Sequence, residues 1–454
     1  MRKRNTAAPD GIPAPAPAPR AATSGGLVPG SATARALYQV WSGIPVTVVK
    51  SPPGAGKTTL VVDVVRQLVQ RAALTVWVVA PNNNQVAALA NRLTGALQPN
   101  SVLVLAKKIR PDDVPDAIIS GDRERATQLA ERHVRVCTIA RAMMDPPRCD
   151  VLVVDEAYQA THLQVRSAMA NADQVLLVGD PGQIGPVITV RTDQFAGPTA
   201  PHLRAPDVFE RHDDATVLSL PYTYRFGPRT AAALAPLYDF AFSSARPPRS
   251  VVGPPELDAV QVDDVDGNID EDLLGAVVQR ARSLIGRVID ADGELLPLAQ
   301  DEVAVVASHN AQVSLLRGML AEAKCPDITV GTADKLQGGQ WEAIVALDPL
   351  AGGVQGSHAT SPGRLCVMAS RHRAHLTWVH DGRWAAAIRN DASLSVPEKR
   401  QARAVRLALT GLPADDAHNP GGDSSTPDDH QVLTDDDRDD PFLTDCDTSW
   451  NDER

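Results

Sequence analysis

Short, uninterrupted apolar runs recur along this chain, separated by stretches of helical patterning. Between residue 31 and about 190 they fall at 45–50, 75–80, 102–106, 134–138, 150–154 and 174–178. A run that is apolar at every position, rather than at alternate ones, describes a strand covered on both faces, as in a parallel sheet flanked by helices. The pattern restarts in the second half, at 216–220, 303–307, 328–332, 343–347 and 376–380. Two doubly wound parallel α/β sheets in tandem are therefore the expected architecture, with ligands at the strand carboxyl ends and between the halves. A charged helical insertion over 107–132, a helix near 271–286 and a final helix within 396–413 are the accessory elements. The final helix carries Lys399, Arg400, Arg403 and Arg406 on a basic side.

The two ends read differently from the middle. Residues 1–30 are rich in Pro and Ala, with the run Ile12-Pro13-Ala14-Pro15-Ala16-Pro17-Ala18-Pro19 favouring extended, unpacked chain. Residues 414–454 hold 14 Asp/Glu against Arg438 and Arg454, a net −12 that outweighs the overall charge of −11, and with +3 on residues 1–30 this leaves 31–413 at only −2. Such a tail is expected to be solvated and disordered, and could dock a protein partner or fold back over a basic groove. A near-neutral body is compatible with a basic groove, so the charge does not exclude nucleic-acid binding. Arg2-Lys3-Arg4 is followed by no apolar stretch, and no run is long enough to span a bilayer, so a cytoplasmic location is expected. Cys137, Cys149, Cys325, Cys366 and Cys446 form no close pairs, which argues against both a disulfide framework and a zinc site.

Chemistry enters where the first apolar run ends. Ser51-Pro52-Pro53-Gly54-Ala55-Gly56-Lys57-Thr58 lies between a predicted strand and a predicted helix. Gly54 and Gly56 let successive backbone N–H groups turn inward around a phosphate, Lys57 reaches the outer phosphates, and Thr58 suits a Mg²⁺. Ala55 and Thr59 complete the cradle. Ser51 stands where the usual pattern has its first glycine, a small residue that can still make the turn. About a hundred residues on, the run Val151-Leu152-Val153-Val154 delivers Asp155 and Glu156 at its carboxyl end. Asp155 is suited to hold Mg²⁺, and Glu156 to polarise an attacking water. The combination predicts a nucleoside triphosphatase using ATP and Mg²⁺.

Taken in order, Ser51–Thr58, Ala80–Asn84, Val136–Thr138, Asp155–Gln159 and Gly179–Pro186 resemble the motifs of superfamily 1 helicases. Tyr224-Arg225, Gly331–Gly338 and Arg364–Arg373 continue the series, most like the Upf-like and RecD-like branch, and the resemblance covers roughly 31–385. It implies two RecA-like domains, at 31–215 and 216–395, driving a translocase or helicase along single-stranded DNA or RNA. Gln183 would sense the terminal phosphate, while Arg225 and Arg371 would reach across from the second half to neutralise the transferred phosphoryl group. Pro81, Asn82, Asn83, Thr138, Thr332, Asp334 and Gln337 would line the nucleic-acid path, with Trp341 and Tyr222 as candidates for base stacking. Read by themselves, Asn82-Asn83-Asn84 are equally a turn before a helix cap. Two departures stand out. Gln340 occupies a position where relatives carry a nucleotide-contacting acid, and Gln39 lies too close to Lys57 to match the upstream glutamine that reads adenine. A remodelling ATPase that unwinds nothing, and a nucleotide-gated binding module, remain open as alternatives.

Lys57→Ala is expected to abolish nucleotide binding. Arg371→Ala should leave binding largely intact and lower turnover by about 10³-fold or more. Nucleotide titration alongside hydrolysis assays of both variants checks this division, and equal loss of affinity in the two would contradict it.

Overall fold

The computed structural model describes residues 28–97, 101–106, 108–115, 117–119, 134–188, 190–192 and 194–412. The acidic tail, most of the Pro/Ala-rich leader and most of the 107–132 insertion lie outside them. The first sheet contains β1 (Val46–Lys50), β2 (Val76–Ala80), β3 (Val102–Leu105), β4 (Ile118–Ile119), β5 (Val134–Thr138), β6 (Cys149–Asp155), β7 (Ala172–Gly179) and β8 (Ala215–Ser219). Their order is β4-β3-β5-β2-β6-β7-β1-β8, and every pairing is parallel. β1 is buried at all five positions, as its unbroken apolar pattern requires.

Three helices fix the front of this sheet: α1 (Ala32–Trp41), α2 (Lys57–Ala72) and α3 (Asn83–Ala96). On α2 the residues Leu60, Val61, Val64, Val65 and Leu68 recur at helical spacing and are buried against the sheet. Each such side chain contributes roughly 1.5–3 kcal/mol relative to exposure.

β8 is the main departure from the sequence-based division. The run at 216–220 was expected to open the second half, yet β8 pairs with β1 from Val46↔Ala215 to Lys50↔Ser219 and closes the edge of the first sheet. Leu218 and Leu220 accordingly join the first core. Periodicity identifies a buried strand but carries no information about which neighbour it pairs with.

After β8 come two short strands, β9 (Tyr222–Thr223) and β10 (Ser243–Ser244), paired in parallel with each other. An antiparallel trio follows, with β11 (Arg249–Val251), β13 (Val288–Ala291) and β14 (Glu294–Pro297). The second parallel sheet has the order β12-β18-β17-β15-β16, from β12 (Leu257–Gln261), β15 (Val303–Ala307), β16 (Thr329–Thr332), β17 (Trp341–Leu347) and β18 (His372–His380). β12 was not among the expected strands. Its burial pattern is mostly partial, as befits an edge, so it lacks the apolar run of a central strand. The helix expected near 271–286 spans Glu271–Leu284 and packs Leu273, Leu274, Val277 and Ala281 into the second core. None of the described helices is long and apolar enough to cross a membrane.

The terminal helix Val396–Thr410 corrects the reading of its basic side. Arg406 is fully buried, with its Nε donating to Asp348 Oδ2 at 3.1 Å, and Trp378 Nε1 donates to the same carboxylate at 3.0 Å. It is thus a core ion pair and cannot face an acidic tail. A buried pair adds little net stability when whole, but a lone buried charge is costly. Asp348→Ala is therefore expected to lower the unfolding free energy by about 3–5 kcal/mol in urea titrations.

Candidate nucleotide site and nucleic-acid face

The site is built where β1, β6 and β7 end side by side. Ser51 begins the loop with its N–H on Gly179 O at 3.0 Å and needs no left-handed backbone, so the missing first glycine costs nothing here. Gly54 (φ +74°) and Gly56 (φ +86°) do need it, and Gly56 caps α2 in the left-handed conformation. A Cβ on Gly54 would lie 2.4 Å from the Cβ of Arg225. That closeness follows from the chain path after β8: Tyr224 N–H donates to Gly54 O at 3.0 Å, and Thr223 Oγ1 donates to Pro53 O at 2.7 Å.

A cleft of ≈ 440 Å³ opens beside this loop. From the first sheet it is lined by Gly54, Ala55, Gly56, Lys57, Thr58, Thr59, Asp155, Glu156 and Gln183, and from beyond it by Arg225, Gln337, Gln340 and Arg371. All the expected nucleotide-site residues are thus brought together. Lys57 Nζ stands 3.5 Å from Glu156 Oε1 and 3.8 Å from Asp180 Oδ2. Burial and the adjacent Glu156 push the Asp155 carboxyl up to about 7, which a bound divalent cation would reverse. Glu156 itself adopts a left-handed backbone at φ +53°, a strained conformation of the kind that accumulates at functional sites.

The two arginines meet over the same space. Arg225 Nη1 donates to Ser370 O at 3.1 Å, and Arg371 Nε donates to Val367 O at 3.1 Å. Burial and the neighbouring Arg371 pull the Arg225 guanidinium down to about 10, and burial lowers that of Arg371. Arg225 Nε and Arg371 Nη2 are buried and find no hydrogen-bond partner among the described residues. Buried, unpaired cationic donors beside Lys57 and a carboxyl pair fit a polyphosphate carrying a divalent cation. Arg225 does not reach across from the second sheet as expected, because it rides on the segment bonded to the P-loop.

Several contributors were not singled out from sequence. Asp180 is 1 % exposed and accepts from Gly182 N–H at 3.0 Å, Gln183 Nε2 at 2.7 Å and the Tyr238 hydroxyl at 3.0 Å. Its signal was its place directly after an apolar strand, like Asp155. Tyr224, half exposed, with Gln85 and Arg92 of α3, also lines the cleft, and its ring offers a flat apolar face. Gln39, by contrast, bonds Thr216 and is absent from the cleft lining.

Residues 32–195 match a family model described as an AAA domain. The "Regulator of nonsense transcripts 1" of Caenorhabditis elegans is 29 % identical over 34 % of this chain and 18 % of that protein. The "DNA-binding protein SMUBP-2" of Rattus norvegicus is 24 % identical over 66 % of this chain and 37 % of that protein. These likenesses support the resemblance of this chain to superfamily 1 P-loop helicases. The chain spans less than half the length of the curated relatives it matches. Among solved structures, the arterivirus nonstructural protein 10 helicase shares 14 % identity over 78 % of this chain and 63 % of that chain at a TM-score of 0.44, too loose an overlap to carry an argument.

The residues expected along the nucleic-acid path divide into two groups. Pro81, Asn82 and Asn83 follow β2, Thr138 ends the adjacent β5, and Thr332 ends β16 in the second sheet. Asn82 accepts from Gln85 N–H and Thr138 from Arg141 N–H, each as a helix N-cap, so the cap reading of the Asn run holds for Asn82. Asp334 is ion-paired to Arg364 at 2.5 Å, and His358 accompanies that arginine at 3.1 Å. Gln337 differs from expectation: its Nε2 donates to Gln183 Oε1 at 3.3 Å, so it sits in the nucleotide cleft and bridges the halves. Trp341 packs against the second-half core, which removes it as a stacking ring.

The Asp155 shift has a sign that can be measured. With its folded value near 7 and its ordinary value 3.8, the native state holds an extra proton between them, so this stability contribution, fully present below about 3.8, is lost as pH rises and is gone above about 7. Asp155→Asn in metal-free protein is expected to flatten the decline in unfolding free energy between about pH 5 and about pH 7, measured by urea titration at both values.

Proposed function

We propose that this chain is an ATP-dependent translocase, with helicase activity, on single-stranded nucleic acid, hydrolysing ATP in the cleft between two RecA-like domains. The observation that carries this reading is the convergence of Lys57, Asp155, Glu156, Arg225 and Arg371 on one cleft, with two buried arginine N–H groups otherwise unpaired. In this reading the first domain runs through β8 with the segment to Arg225 bonded to its P-loop, and the second from Phe226 to about 395, with Val396–Thr410 packed on the latter through Val405 and Leu409.

The loop N–H groups and Lys57 bind the phosphates, and Thr58 and Asp155 are the residues that would hold Mg²⁺, which when bound screens the phosphate charge. Glu156 orients and deprotonates the attacking water. Arg225 and Arg371 stabilise charge on the transferred group. Gln183, held by Asp180 and contacted by Gln337, couples the phosphate end to the second sheet. Closure on ATP and reopening after hydrolysis would alternate grip on a strand lying over Pro81, Asn82, Asn83, Thr138, Thr332 and Asp334. The reading places the protein in the cytoplasm.

Steady-state hydrolysis of ATP with single-stranded DNA, single-stranded RNA, blunt duplex or no polymer, with Lys57→Ala as blank, tests it. Stimulation by about tenfold or more by one single-stranded polymer is expected. Absence of stimulation by any polymer would reduce the chain to a nucleotide-gated binding module, and stimulation without displacement of a tailed duplex would leave a remodeller.

A further inference from the structure

Tyr238 and Asp239 are consecutive residues outside the motifs, yet each reaches a different strand end of the first sheet. They follow the helix Pro228–Leu234, and Tyr238 packs edge-on against Phe240 at 5.4 Å and Phe242 at 5.0 Å, on the core of the second sheet. From there its hydroxyl donates to Asp180 Oδ1 at 3.0 Å and lies 3.3 Å from Cys366 Sγ. Asp239 Oδ2 stands 2.6 Å from Nζ of Lys50, the last residue of β1, and Glu210 holds the same ammonium at 2.7 Å. Lys50 directly precedes the P-loop and is 8 % exposed. The fit is close: a Cβ on Gly182 would fall 2.4 Å from the Tyr238 hydroxyl, and one on Gly363 would fall 2.7 Å from Gln183 O.

The two oxygens of Asp180 have different duties. Oδ1 accepts from Gly182 N–H and Tyr238, while Oδ2 accepts from Gln183 Nε2 and faces Lys57 at 3.8 Å. Tyr238 therefore fixes the rotation of the carboxylate and, through Oδ2, the amide of Gln183. Phosphate binding depends less on that rotation, because the loop N–H groups do not touch Asp180 and Lys57 stands nearer to Glu156, at 3.5 Å, than to Oδ2. The alignment needed for turnover depends on it more, because a small misplacement of a positioning group costs rate more than affinity.

We propose that Tyr238 is a positioning residue for ATP hydrolysis, braced by the Lys50–Asp239 ion pair, and that it holds Asp180 and Gln183 in register with the P-loop. The inference rests on the hydrolytic reading of the cleft. It assigns to a residue of the second core the alignment of two residues of the first.

Tyr238→Phe in the full chain keeps the ring and its packing and removes only the hydroxyl. Affinity for a fluorescent ATP analogue is expected to stay within about twofold and the melting temperature near that of the parent, while kcat falls about tenfold or more. Asp239→Asn should show a smaller drop in kcat in the same direction. A Tyr238→Phe variant that hydrolyses at the parental rate, or that loses affinity and rate in equal measure, would overturn the proposal. Absence of any hydrolysis by the parent chain would be a separate result, overturning the hydrolytic reading itself and this inference with it.

Discussion

Parallel strand pairing is the constraint from which the site follows. A parallel sheet brings every carboxyl end to the same edge, and neighbouring strands lie close enough for their terminal side chains to share one space. β7 pairs with both β1 and β6, so the loop after Lys50, the pair Asp155 and Glu156, and Asp180 emerge side by side. Three carboxylates gathered at one strand edge, two of them buried, repel one another. Lys57 is their common counter-charge, and the Asp155 carboxyl, raised first by burial and then by Glu156, is only partly drawn back by that ammonium. A site in this condition favours a ligand that brings a cation.

The second half supplies the opposite sign. Arg371, at the end of the helix-to-strand turn before β18, is almost wholly buried and has donor capacity to spare. Such a group is expensive to keep dry without an anion, and the packing that keeps it there comes from the helix Pro362–Ala369, whose buried residues belong to the second core. Binding chemistry and inter-domain packing are therefore linked through the same helix, which also carries Gly363 against the Gln183 carbonyl.

Much of this was legible from sequence where a single residue type answers a local demand. The glycines of the P-loop, the acids after β6 and the unbroken apolar runs of β1, β15 and β17 each have few alternatives. Legibility failed where partner choice matters. The 216–220 run shows that β8 is buried but not that it lies against β1. Arg406 has the composition of a surface helix and becomes a core ion pair only because Asp348 and Trp378 meet it from other elements. Gln337 is indistinguishable by type from a strand-contacting amide, and only the loop path after β16 turns it toward Gln183. Asp180 and Tyr238 fall in the same class, since their importance lies in one hydrogen bond between segments 58 positions apart.

The path of the chain after β8 gives the two arginines different mechanical ties. Arg225 is tethered by the backbone of its own segment to Gly54, whereas Arg371 belongs to the packed body of the second sheet. If the two bodies part, Arg371 goes with the second sheet while Arg225 is held beside the P-loop, so the positive wall of the cleft would be divided between them. That division comes from the path of the chain and not from the chemistry of either side chain.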